Sequence, residues 1–105
     1  MALAAFWGFS HSKTRGFEEP AVMVKVILDE APVGSSVETA RRFMEREGFL
    51  CKEETNASLG EKTGIDYLSC WRSEGWIVFT RWDVFIVHRD GKVVEVVARQ
   101  LLTGP

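Results

Sequence analysis

The sequence predicts an α+β domain, with one helix packed on a four- to five-stranded antiparallel sheet in the order strand–helix–strand–strand–strand–strand. Three observations predict it. One stretch, "GSSVETARRFMEREGF" (residues 34–49), repeats its apolar residues at helical spacing between a start and a stop signal. The other apolar segments are short and rich in Val, Ile, Phe and Trp, as strands are. Between two of them stands Asp90-Gly91, a pair that tolerates the positive φ angles of a tight primed hairpin turn.

Taken in order, residues 1–20 read as an N-terminal arm and linker, and residues 21–105 as the single domain. "MALAAFWGFS" is apolar but short and has no basic stretch ahead of it, which makes a poor signal peptide. "HSKTRGFEEP" is polar and ends in proline. "AVMVKVILDE" (21–30), β-branched and bounded by Pro20 and Pro32, reads as a strand. The helix follows over residues 36–47. Ser35 stands three before Glu38, the spacing of a capping box. Val37, Ala40, Phe43 and Met44 form its apolar stripe, and Gly48 is placed for a left-handed stop. Strands are then expected at 49–55, 65–72, 76–88 and 92–102, with "NASLGEKTG" as a longer loop and "SEGW" as a tight turn.

Several function classes are disfavoured. A formal net charge of −2 makes no electrostatic case for nucleic acid or an anionic membrane. No apolar run approaches the roughly 20 residues of a membrane helix. Gly34-Ser35-Ser36 could feed an anion to a helix N-terminus, but the phosphate-loop patterns G-x-x-x-x-G-K-[ST] and G-x-G-x-x-G are absent, and capping gives the serines a sufficient task. Two cysteines without clustered histidines argue against zinc, and no cofactor is expected.

The run Gly34-Ser35-Ser36-Val37-Glu38 before a short helix, with "WDVFIVHRDGKVVEVVA" after it, resembles the SmpA/OmlA (BamE-like) outer-membrane lipoprotein domains and the related β-lactamase-inhibitor-protein-like modules. The likeness spans roughly residues 33–98. It implies an extracytoplasmic protein-binding module. Two departures stand: no lipobox cysteine follows a leader, and a strand is read where that family often has another helix. Strand–helix–four strands also resembles a cystatin topology, but the Gln-x-Val-x-Gly inhibitory loop is missing.

Cys51 and Cys70 come opposite one another if the hairpin is centred between Gly60 and Glu61, close enough for a disulfide. An oxidised pair points outside the cytoplasm, whereas a reduced pair would behave as two small core hydrophobes. Register carried outward from two-residue turns at Asp90-Gly91 and Glu74-Gly75 sorts the sheet into two faces. Leu68, Cys70, Phe79, Phe85, Val87, Val94, Val96 and Ala98 form the expected core face. Tyr67, Trp71, Val78, Trp82, Val84, Val97 and Arg99 form the other, which one helix leaves uncovered.

Tyr, Trp and Arg are the types enriched at binding hot spots. Tyr67, Trp71, Val78, Trp82, Val84 and Arg99 are therefore the candidate binding residues, for a protein partner or a second copy of the chain. Cover by the arm, through Phe6 and Trp7, is the intramolecular alternative. A single-stranded nucleic-acid platform would need more basic residues than Arg72 and Arg99 beside the aromatics. By strand parity His88 faces away from both Asp83 and Cys70, so neither dyad forms. The sequence thus reads as a non-enzymatic protein-interaction module. The alternative is a small-molecule-binding or enzymatic domain with a pocket between helix and sheet.

Overall fold

The structure, a computed structural model, describes residues 19–75 and 79–103. Helices α1 (Pro20–Glu30) and α2 (Val37–Arg46) precede four strands, β1 (Leu50–Leu59), β2 (Lys62–Glu74), β3 (Phe79–Arg89) and β4 (Lys92–Thr103). The strands form one antiparallel meander in the order β1-β2-β3-β4. The α+β class holds, with two helices among the described residues in place of one. The arm residues Phe6 and Trp7 lie outside the described residues.

Residues 21–30 are a helix, not a strand. The two prolines that seemed to bound a strand act at helix ends. Pro20 occupies the first helical turn, where its fixed φ suits the helix and its missing N–H is not needed. Pro32 follows the C-cap residue Ala31, where a helix must stop. The β-branched composition costs a few tenths of a kcal/mol per residue, of the order of ordinary propensity differences. Burial of Met23 and Ile27, one turn apart and fully enclosed, outweighs that cost. α1 packs on β4 and on α2.

α2 is capped by Ser36 rather than Ser35. The Ser36 hydroxyl accepts from the Glu38 amide at 3.1 Å, while the Ser35 hydroxyl donates to the Pro32 carbonyl at 2.5 Å. No capping box forms. The C-terminus ends as expected, with Gly48 at φ +88. The Phe49 amide donates to the Met44 carbonyl and the Gly48 amide to the Glu45 carbonyl, the double closure of a Schellman motif. Its hydrophobic partners, Phe49 and Met44, are both in the core.

The start of α2 is also tied to the last hairpin. The Val37 amide donates to the Gly91 carbonyl at 2.9 Å, the Gly34 amide to the Val93 carbonyl at 2.8 Å, and the Val93 amide to the Ser35 carbonyl at 2.8 Å. The amide that would greet an anion at this helix start is therefore already taken.

The β1–β2 hairpin turns at Gly60-Glu61 and places Cys51 opposite Cys70, as the sequence predicts. The expected longer loop instead continues both strands, through register shifts near Asn56 (φ +47) and Gly64 (φ +64). The β3–β4 turn has the predicted primed geometry, with φ +54 at Asp90 and +76 at Gly91.

Candidate protein-interaction face

The helices cover one face of the sheet. Beneath them lie Leu68 and Cys70 of β2, Trp82, Val84 and Ile86 of β3, and Val93 and Val96 of β4, with Ala98 packed at the margin. Phe43, Met44, Met23 and Ile27 fill the space from the helix side, so the helix–sheet interface is packed with side chains.

This arrangement corrects the sequence reading of β3. Trp82 and Val84, expected on the binding face, are fully buried in the core. Phe79 and Phe85, expected in the core, belong to the opposite face, where Phe79 is 44% exposed. Val87 is buried but lies on that same outer face, opposite Tyr67. Two backbone details produce the inversion. Glu74 stands opposite Thr80, so the β2–β3 connection is longer than the two-residue turn expected, and the register moves by an odd number of residues. An odd shift turns every side chain of a strand over. In the β3–β4 pair, His88 faces Val93 but Val87 faces Glu95, which makes Val94 an extra, bulged residue. Val94, expected in the core, is 39% exposed. Val78 lies outside the described residues.

The outer face that results carries Tyr67 and Trp71 on β2, Arg81, Asp83, Phe85 and Val87 on β3, and Glu95, Val97, Arg99 and Leu101 on β4. Tyr67, Trp71 and Arg99 stand where the sequence placed them. The Tyr67 and Phe85 rings meet edge to face with centroids 5.7 Å apart. The Arg99 guanidinium lies 5.2 Å from the Phe85 ring centroid. Asp83, although nearly buried, is held between two cations: Arg81 Nε donates to it at 3.0 Å, and an Arg99 terminal nitrogen lies 3.9 Å away. Both arginines keep much of their surface open to solvent, so their charged heads remain available to a partner. A shallow groove of about 210 Å³ runs along it, lined by Leu59, Lys62, Phe85, Glu95, Val97 and Arg99.

One signal could have found the correct face of β3. Its two mid-strand charges, Arg81 and Asp83, share parity with Phe85 and not with Trp82 or Val84. A charged pair two residues apart marks the side that meets water.

The remaining candidates are placed as follows. Cys51 and Cys70 stand opposite one another across β1 and β2, as expected, and both are free cysteines in this structure. The Cys70 thiol donates to Cys51, which lowers the Cys51 pKa below the ordinary thiol value. The same bond, with burial, pushes Cys70 well above it. Arg72 lies on the core face, opposite Trp82, and not on the outer face with Tyr67 and Trp71. It donates to the Glu47 carbonyl at the end of α2 (2.7 Å), pairs with Glu74 (3.0 Å) and stacks 4.5 Å from the Phe49 centroid.

His88 is buried, and its Nε2 lies 2.8 Å from Glu53. His88 and Asp83 do face opposite sides. His88 and Cys70 share the core face, so parity does not separate them; distance along the sheet does, with the Leu68–Ile86 pair between them. No helix among the described residues is long and apolar enough to cross a membrane.

Compared with known proteins, the chain matches no family model, no curated protein and no solved structure.

Proposed function

We propose that this chain is a non-enzymatic protein-interaction module that binds a protein partner through the helix-free face of its sheet. The observation that carries the reading is the composition of that face. Tyr67, Trp71 and Phe85 present partly exposed aromatic surface, and the exposed Arg99 lies over Phe85 and beside Asp83. Aromatic and arginine anchors with a polar surround are what hot spots are made of.

The sequence resemblance to BamE-like and β-lactamase-inhibitor-protein-like domains also favours a protein-binding reading. The segment read as a strand, a departure from that pattern, is a helix. The two motifs behind the resemblance, Gly34–Val37 and Gly91–Val93, bond to one another and lock the helix start onto the last hairpin. That resemblance is also the reason to seek the partner outside the cytoplasm.

The test is a photo-cross-linking residue placed at Ser69, between Lys52 and Phe85 on the outer face. In extracts of the native source it should yield one dominant protein adduct, lost when Trp71→Ala or Arg99→Ala is added. A probe at Lys25, on the exposed side of α1, should not give that adduct. Equal adducts from both positions, or an adduct indifferent to Trp71 and Arg99, would remove the reading.

A further inference from the structure

We infer that the outer edge of β4 is a self-association surface, through which two copies pair antiparallel to make one continuous sheet. The two edges of the meander are built differently. β1, "LCKEETNASL", is charged and twice interrupted in register, the features that guard an edge against pairing. β4, "KVVEVVARQLLT", is twelve residues long, β-branched, and free of glycine and proline. Only its first residues are covered on the outer side, by the bridge between Ser36 and Lys92 and the neighbouring bonds from Gly34 and Ser35. Among the described residues no strand pairs with the rest of that edge.

Exposed apolar side chains gather at the same place. Among the described residues, five of the seven large exposed hydrophobics lie on β4, on the loop bridged to it or on the helix that packs against it: Val94, Leu101 and Leu102 on β4, Val33 in the loop and Val22 on α1. α1 adds to the argument, because Val24, Val26 and Leu28 are only partly buried although the helix is apolar on most sides. Such a helix is normally enclosed.

Charge selects a second copy as the occupant. Glu95 and Arg99 lie four residues apart on the outer face, with Val97 midway; within the chain Glu95 pairs with Lys62 and Arg99 lies beside Asp83, so pairing with a second copy shares or replaces these exposed contacts. A two-fold axis through Val97 sets Glu95 of each copy opposite Arg99 of the other, twice, and Val97 against Val97. Centring the pair on Glu95 or on Arg99 instead opposes like charges directly, which is unfavourable in a sheet. The same symmetry keeps both sets of helices on one side. It also brings Leu101 and Leu102 of each copy to the loop that carries Val33 of the other. Arg99 belongs to both this edge and the outer face proposed above, so its variants bear on both readings, whereas Glu95→Arg and the restoring mixture report on the edge pairing.

The experiment is sedimentation of the full chain over a range of concentrations, for wild type, Glu95→Arg, Arg99→Glu, and a one-to-one mixture of the two variants. Wild type should be a concentration-dependent dimer. Each variant alone opposes like charges and should self-associate about tenfold more weakly or worse, given the cost of like pairs across strands. The mixture restores both opposite pairs and should recover the dimer. Lys52→Glu, a charge reversal on β1, should leave it intact. Wild type that stays monomeric, single variants that dimerise like wild type, or a mixture of folded variants that stays monomeric would each overturn the inference. If a variant fails to fold, amide exchange on wild type decides the matter. Protection at residues 95–99 should rise with protein concentration, and protection independent of concentration refutes the pairing.

Discussion

Trp82→Ala tests the assignment of the two sheet faces most directly. Trp82 has no exposed surface. An aromatic of this size buries about 200 Å², which at about 25 cal/mol per Å² corresponds to ~5 kcal/mol of transfer free energy. The alanine Cβ retains a small share of that. A second correction has the opposite sign to the loss: the indole Nε1 is buried without a hydrogen-bond partner, so its removal relieves a penalty of about 1 kcal/mol. The net expected cost is about 3–4 kcal/mol, inside the range for large-to-alanine changes in cores. Phe85→Ala removes a partly exposed ring, its edge contact with Tyr67 and its stack with Arg99, and should cost less than about 2 kcal/mol.

The assay is urea unfolding followed by far-ultraviolet circular dichroism, which does not depend on the tryptophan removed. With a slope of about 1 kcal/mol per molar urea for a domain this small, the Trp82→Ala midpoint should fall by about 3 M. If that variant is unfolded in water, Trp82→Phe serves in its place. It keeps most of the volume and discards the orphan N–H, and should cost no more than about 1.5 kcal/mol. A larger loss for Phe85→Ala than for Trp82→Ala would show that Phe85, not Trp82, is the core residue and that the proposed face is buried.

Four further outcomes are expected. Arg72→Met should cost about 3 kcal/mol by chemical denaturation, because it strips a charged hydrogen bond from the α2 C-terminus and leaves Glu74 without its guanidinium. Ser36→Ala should lose about 1 kcal/mol and Ser35→Ala clearly less, which checks that the cap is Ser36 by thermal or urea unfolding. Gly91→Val should destabilise by more than about 1 kcal/mol, since a β-branched residue is forced to φ +76 at a turn that also anchors α2. In native protein, Cys51 should be alkylated well before Cys70, and at a pH below that of an ordinary thiol. Its thiolate is favoured by the bond from Cys70, which is itself fully buried, and mass spectrometry of the modified peptides reads the order.

Much of this fold is legible in local chemistry. Gly48 after an apolar helical stripe, Asp90-Gly91 between alternating segments, and the Cys51–Cys70 register about Gly60-Glu61 depend on residues close in sequence, whose φ preferences and periodicities act before any tertiary contact forms. So do the correct faces of β2 and of most of β4, and with them Tyr67, Trp71, Val97 and Arg99 of the candidate surface. Other decisions belong to the assembled structure. Residues 21–30 have strand-like composition, yet they are helical because Met23 and Ile27 gain burial against β4 and α2 that an isolated segment cannot supply. Ser36 rather than Ser35 caps α2 because the Ser35 carbonyl is held by the Val93 amide, far along the chain. β3 carries large apolar residues on both parities, with Phe79, Phe85 and Val87 sharing the side of Arg81 and Asp83, so its orientation turns on the length of the β2–β3 connection and on the bulge at Val94, each an odd step in register. With a side-chain period of two, one residue of backbone is enough to exchange Trp82 for Phe85 between core and surface.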